Sequence, residues 1–95
     1  MNPTVDEIRL KVASPMMRRG VVRAGIFGSF ARGEATASSD VDFLVEFEKG
    51  RTLVDLSGLR LDLQDVLGRD VDVATPRSLH PKLRDRILGE LIPVL

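Results

Sequence analysis

The chain predicts an α/β domain in which a small sheet is covered by helices. Three observations carry that prediction. Apolar residues switch repeatedly between helical and strand spacing, glycine or proline falls at nearly every switch, and a Gly-Ser turn ends one strand while an Asp-x-Asp pair opens the next. The resulting order is helix, strand, helical turn, strand, helix, strand, helix.

Thr4-Val5-Asp6-Glu7 is a capping-box pattern, and Val5, Ile8 and Val12 then share one stripe, which predicts a first helix from about residue 4 toward Arg19. Pro15 is expected to bend or divide it, and Gly20 to stop it after the basic pair Arg18 and Arg19. Met16 and Met17 are expected to fill the core. Val21 to Phe27, mostly apolar between two glycines, predicts a buried strand that delivers Gly28 to its end. Gly33 to Ser39 is small and polar, a loop by composition, with Ser38 and Ser39 suited to hydrogen-bonding it.

Beyond that loop, Val41, Phe43, Val45 and Phe47 alternate with Asp40, Asp42, Leu44 and Glu46, which gives one strand a core face and a site face. Lys49-Gly50-Arg51 breaks the pattern. Thr52 caps a second long helix, with Asp55 reinforcing its start, a stripe of Leu53, Leu56, Leu59 or Arg60, Leu63, Val66 and Leu67, and a stop at Gly68. Val71 and Val73 alternate with Asp70, Asp72 and Ala74 in a short third strand ended by Pro76. Pro81 suits the first turn of a last helix, apolar at Leu83, Ile87, Leu88 and Leu91 and closed by Pro93. Its charged residues Lys82, Arg84, Asp85, Arg86 and Glu90 are expected on a solvated face, with His80 a surface or capping residue.

Ninety-five residues predict one domain spanning 1–95, able to bury roughly 65% of the unfolded chain's surface, with no second substrate-holding domain. The 14 basic and 14 acidic residues cancel, which argues against a nucleic-acid partner gathered by bulk charge. Absence of cysteine removes disulfides and thiolate zinc sites. The N-terminus lacks the apolar core of a signal peptide, and no apolar run approaches the ~20 residues of a membrane span, so a cytoplasmic location is expected.

The chemistry concentrates in residues 28 to 42, where Gly28-Ser29 is followed after ten residues by Asp40-Val41-Asp42. Gly28 lets backbone amides approach phosphate oxygens, Ser29 adds a hydroxyl donor, and the short helical turn after them aims its positive end at the same anion. Side chains two apart on a strand point the same way, so Asp40 and Asp42 present paired carboxylates suited to Mg²⁺, a hard ion that prefers oxygen. Arg32 can reach a phosphate, but a structural pair with Glu34 or a site carboxylate is the simpler expectation.

This Gly-Ser and Asp-x-Asp segment resembles the signature of the DNA-polymerase-β-like nucleotidyltransferases, and Phe27-Gly28-Ser29-Phe30-Ala31-Arg32-Gly33 with Ser39-Asp40-Val41-Asp42-Phe43-Leu44-Val45 is most similar to the minimal nucleotidyltransferases among them. The likeness extends to Gly68-Arg69-Asp70-Val71-Asp72-Val73, which resembles the later strand carrying a third carboxylate. Asp72 fits that role better than Asp70, because it lies inside the strand and not at its fraying end. The resemblance implies a mixed sheet. It also implies two Mg²⁺ ions held by Asp40, Asp42 and Asp72, ATP phosphates held by Gly28 and Ser29, and Asp72 as the group that accepts the acceptor's proton. Such proteins act as antitoxins that transfer AMP to a tyrosine of a partner HEPN ribonuclease toxin. The competing expectations are a catalytically silent antitoxin that works by occlusion, and a transferase for a small molecule, which the short chain disfavours.

Overall fold

The computed structural model describes residues 2–95. It contains α1 (Val5–Arg18), β1 (Val21–Phe27), the single-turn helix α2 (Ser29–Arg32), β2 (Val41–Phe47), α3 (Leu53–Leu67), β3 (Val71–Ala74), a 3-10 turn at Pro76–Ser78, α4 (Pro81–Glu90) and β4 (Ile92–Pro93). The strands form one mixed sheet in the order β3-β2-β1-β4. β1 runs antiparallel to β2 and to β4, while β2 and β3 are parallel and joined by the crossover helix α3. None of the described helices is long and apolar enough to cross a membrane.

The cap residues define where helices start. Thr4 accepts from the Glu7 amide at 3.1 Å, and at α3 the Thr52 hydroxyl accepts from the Val54 amide at 3.2 Å while the Thr52 amide donates to Asp55 at 3.1 Å. Pro15 does not divide α1, which continues through it for one more turn. So near the C-terminus, proline removes a single amide and leaves only the Lys11 carbonyl without its helical donor. Arg19 donates to Asp62 at 2.9 Å and ties the end of α1 to α3.

Alternation along β2 assigns its two faces. Val41, Phe43 and Val45 are fully buried and meet Ile8, Val12 and Met16 of α1, Leu59 and Leu63 of α3, and Ala24 and Ile26 of β1. Met16 fills the core as expected, whereas Met17 is mostly exposed, since adjacent helical residues face about 100° apart. On α3 only Leu59 and Leu63 are fully buried, and Leu53 projects into solvent in the first turn beyond the edge of the core. Phe43→Ala is therefore expected to cost about 3–5 kcal/mol of stability, measured by denaturant unfolding. A loss below about 1 kcal/mol would place the centre of the core elsewhere.

The opposite face of the sheet carries Asp42, Leu44 and Asp72 and is only partly covered by α4. Ile87 of α4 is buried, but Leu83 and Leu88 remain about half exposed. Pro93, expected only to close the last helix, instead sits in β4 opposite Gly25, with Ile92 opposite Ile26. An edge strand tolerates proline because the missing amide faces away from the ladder. The tail continues the pairing: Ala24 donates to the Leu95 carbonyl at 3.1 Å and accepts from the Val94 amide at 2.9 Å.

Candidate active site

The sheet register assembles the site from three strands. Phe27 pairs with Asp42 across the antiparallel β1–β2 ladder, so Gly28, the next residue, lies against Asp42. Asp42 pairs with Asp72 across the parallel β2–β3 ladder, at a strand spacing of about 4.8 Å. Asp42 is thereby flanked by the glycine turn on one side and a second carboxylate on the other. Asp70 precedes β3, where its carbonyl accepts from the Val41 amide at 3.1 Å. It is Asp72, and not Asp70, that stands opposite Asp42.

Gly28 has φ 77° and ψ −152°, a conformation open to glycine alone, and a Cβ added there would overlap the Asp42 carboxylate. The turn is thus shaped by two demands, positive φ and close approach to an acid. Ser29 opens α2, and Phe30 buries its ring beneath the turn, with the Arg69 guanidinium 5.1 Å from the ring centroid. Arg69 also donates to the Ser39 carbonyl at 3.2 Å. The Ser39 hydroxyl accepts from the Thr36 amide at 2.7 Å, so the loop that leads to Asp40 is held at both ends.

Phe27, Gly28, Ser29, Arg32, Ser39, Asp40, Asp42 and Arg86 line one open cleft of about 390 Å³. Asp72 borders it from beyond Asp42 and is exposed. The Asp42 carboxyl is pushed up to about 6 by partial burial, then by the negative charges of Asp72 and Asp40, and Arg32 only partly opposes them. A carboxylate whose charge is disfavoured in this way gains from a nearby divalent cation, and the donors are all hard oxygens. No group of three acidic, histidine or cysteine side chains closes into a preformed metal cage among the described residues. The donor set still fits Mg²⁺, which is usually held by one or two carboxylates and completes its shell with water and phosphate oxygens.

Two arginines border the cleft. Arg32 donates to Glu34 at 2.7 Å and to Glu90 at 2.9 Å, so its expected pairing with Glu34 is joined by a second acid from α4. Arg86 and Glu90 do not lie on a purely solvated face. Arg86 faces the cleft, and the Glu90 side chain is only 14% exposed, because α4 folds back across the sheet toward α2. Their i,i+4 spacing was visible in the chain, but the direction of that helix depends on packing far away in sequence. His80 caps α4, its Nδ1 accepting from the Lys82 amide at 3.1 Å. A second cleft between α4 and the sheet is lined mainly by apolar groups, among them Leu44, Pro76, Leu88 and Leu91, and has no carboxylate cluster.

Residues 6–94, which contain the mixed sheet, the glycine turn and the facing carboxylates, match the nucleotidyltransferase domain family, to which the chain belongs. It is 50% identical over 91 residues to a Methanocaldococcus jannaschii protein named for protein adenylyltransferase activity, covering 96% of this chain and 98% of that one. It is also 40% identical over 77 residues to the protein adenylyltransferase MntA of Thermococcus cleftensis, covering 81% and 78% of the two chains. A solved minimal nucleotidyltransferase superimposes with a TM-score of 0.80 at 50% identity, over 90% of this chain and 87% of the other. At 20% identity the fold is shared with a toxin–antitoxin complex solved with AMP-PNP, with a TM-score of 0.78 over 92% of this chain and 72% of that one.

Proposed function

We propose that this nucleotidyltransferase is an Mg²⁺-dependent antitoxin that transfers AMP from ATP to a tyrosine hydroxyl of a partner HEPN ribonuclease toxin. The observation that carries the reading is the position of Asp42, wedged between Gly28 and Asp72 with Asp40 beside it. That arrangement sets an anion-accepting turn directly against a carboxylate cluster, as transfer from a nucleoside triphosphate requires. The relatives named for protein adenylyltransferase activity and the fold shared with toxin–antitoxin complexes support the choice of a protein acceptor.

Each group has a task in this reading. The Gly28–Ser29 turn presents backbone amides and the Ser29 hydroxyl to the β- and γ-phosphates. Asp40, Asp42 and Asp72 would hold Mg²⁺, two ions being the usual complement for such a carboxylate set. Bound Mg²⁺ would supply charge neutralisation for the phosphates and would lower the pKa of the acceptor hydroxyl. The tyrosine Oη forms a bond to the α-phosphorus, the bond to the bridging oxygen breaks, and pyrophosphate leaves with that electron pair. Asp72, exposed at the rim, takes the Oη proton. An ordinary carboxylate is about six pKa units too weak a base for a phenol, a gap that bound Mg²⁺ would narrow.

Incubation with labelled ATP, Mg²⁺ and the protein encoded by the neighbouring gene tests the assignment: label is expected on that protein. Asp72→Asn is expected to keep binding the toxin, lose label transfer by about 10²-fold or more, and fail to protect cells. Full protection by the variant would mean that occlusion suffices.

A further inference from the structure

Arg86 is the cationic group of the cleft that the chemistry above leaves without a task. It projects from α4 into the wall that also contains Gly28, Ser29, Asp40 and Asp42. The other guanidinium there is already engaged, since Arg32 donates to both Glu34 and Glu90. The nearest acid to Arg86 is Glu90, at 3.9 Å from Nε to Oε1, too far for a hydrogen bond, and the Arg86 side chain is 70% exposed. Glu90 Oε1 is itself buried and accepts no hydrogen bond among the described residues. One buried carboxylate therefore stands between two arginines, bonded to Arg32 and only loosely facing Arg86.

This arrangement has a chemical consequence. Asp40 and Asp42 make their side of the cleft acidic, so a polyphosphate needs cationic donors elsewhere along its length. A guanidinium offers several N–H groups in a planar fork that matches phosphate oxygens. Arg86 is exposed and unsaturated, hence able to swing onto an arriving anion without breaking a hydrogen bond. We propose that Arg86 binds the terminal phosphates of the nucleotide. The proposal rests on reading the cleft as the triphosphate site, and it makes α4 part of nucleotide binding.

Calorimetric titration in Mg²⁺ with ATP, and with AMP by competition, tests this. Arg86→Ala is expected to weaken ATP binding by about 10- to 100-fold and AMP binding by less than about 3-fold, because the lost hydrogen bonds are charge-assisted and reach only the distal phosphates. Arg86→Lys should recover part of the loss, and Lys82→Ala, on the same helix, should match wild type. Unaltered thermal unfolding of Arg86→Ala confirms that the fold is intact, as expected for so exposed a side chain. If wild type binds ATP and Arg86→Ala binds it equally well, the inference fails while the cleft assignment stands. Equal losses for ATP and AMP would also overturn it. Failure of wild type to bind ATP at all would overturn the cleft assignment and this inference together.

Discussion

Asp42→Asn is expected to abolish nucleotide transfer, by roughly 10³-fold or more, and at the same time to stabilise the metal-free protein at neutral pH. The first effect follows from removing the central carboxylate of the site, with the core face of β2, made by Val41, Phe43 and Val45, left undisturbed. The second follows from linkage. The folded carboxyl titrates near 6, above its usual 3.8, so the folded chain holds this proton more tightly than the unfolded chain. The associated stability is fully present below about 3.8 and is lost as pH rises through about 6. Asparagine imitates the neutral form at every pH, so the gain should appear above pH 6 and vanish below pH 4, amounting to about 1 kcal/mol after solvent screening of a half-exposed group. Thermal unfolding at pH 4 and pH 7.5 beside a transfer assay measures both effects. Asp40→Asn should share the loss of transfer, and unchanged transfer in either variant would remove the proposed metal site.

Gly28→Val is expected to reduce triphosphate affinity by about 10²-fold while leaving partner binding much less affected. Two independent costs act at this position. A β-branched residue resists a φ of 77° with ψ −152°, which carries a strain of about 1–3 kcal/mol. Its Cβ also collides with the Asp42 carboxylate, so relief of the clash displaces the group that would hold the cation. Ser29→Ala loses one hydroxyl donor and leaves the turn intact, and its effect should be milder. Calorimetric titration of each variant with ATP checks the order, and full affinity in Gly28→Val would reduce the turn to a chain reversal.

These effects were partly legible in the chain because the signals involved are local. Val21–Phe27 emerged as a strand between its glycines, β2 alternates apart from the buried Leu44, and Thr52 with Asp55 marks the start of α3 through side chains only three residues apart. Gly28, Ser29, Asp40 and Asp42 lie within 15 residues, so the ends of two adjoining strands suffice to bring them together. What escaped depends on distant partners. A two-residue β4 exists only because β1 offers it a free edge, and Pro93 looked like a terminator. Arg86 and Glu90 looked solvated until α4 was laid back over the sheet. The rise in the Asp42 pKa comes first from burial and then from Asp72, which is 30 residues away and reaches it through a parallel crossover.

The central claim is that this fold modifies its partner and does more than cover it. Mass spectrometry of the neighbouring gene's product, the proposed toxin, purified after co-expression, addresses it most directly. With the wild-type chain the toxin should carry one or more added AMP units on tyrosine, and with Asp72→Asn it should carry none and remain toxic. An unmodified toxin from the wild-type pair, together with full protection by Asp72→Asn, would contradict transfer while leaving the fold in place.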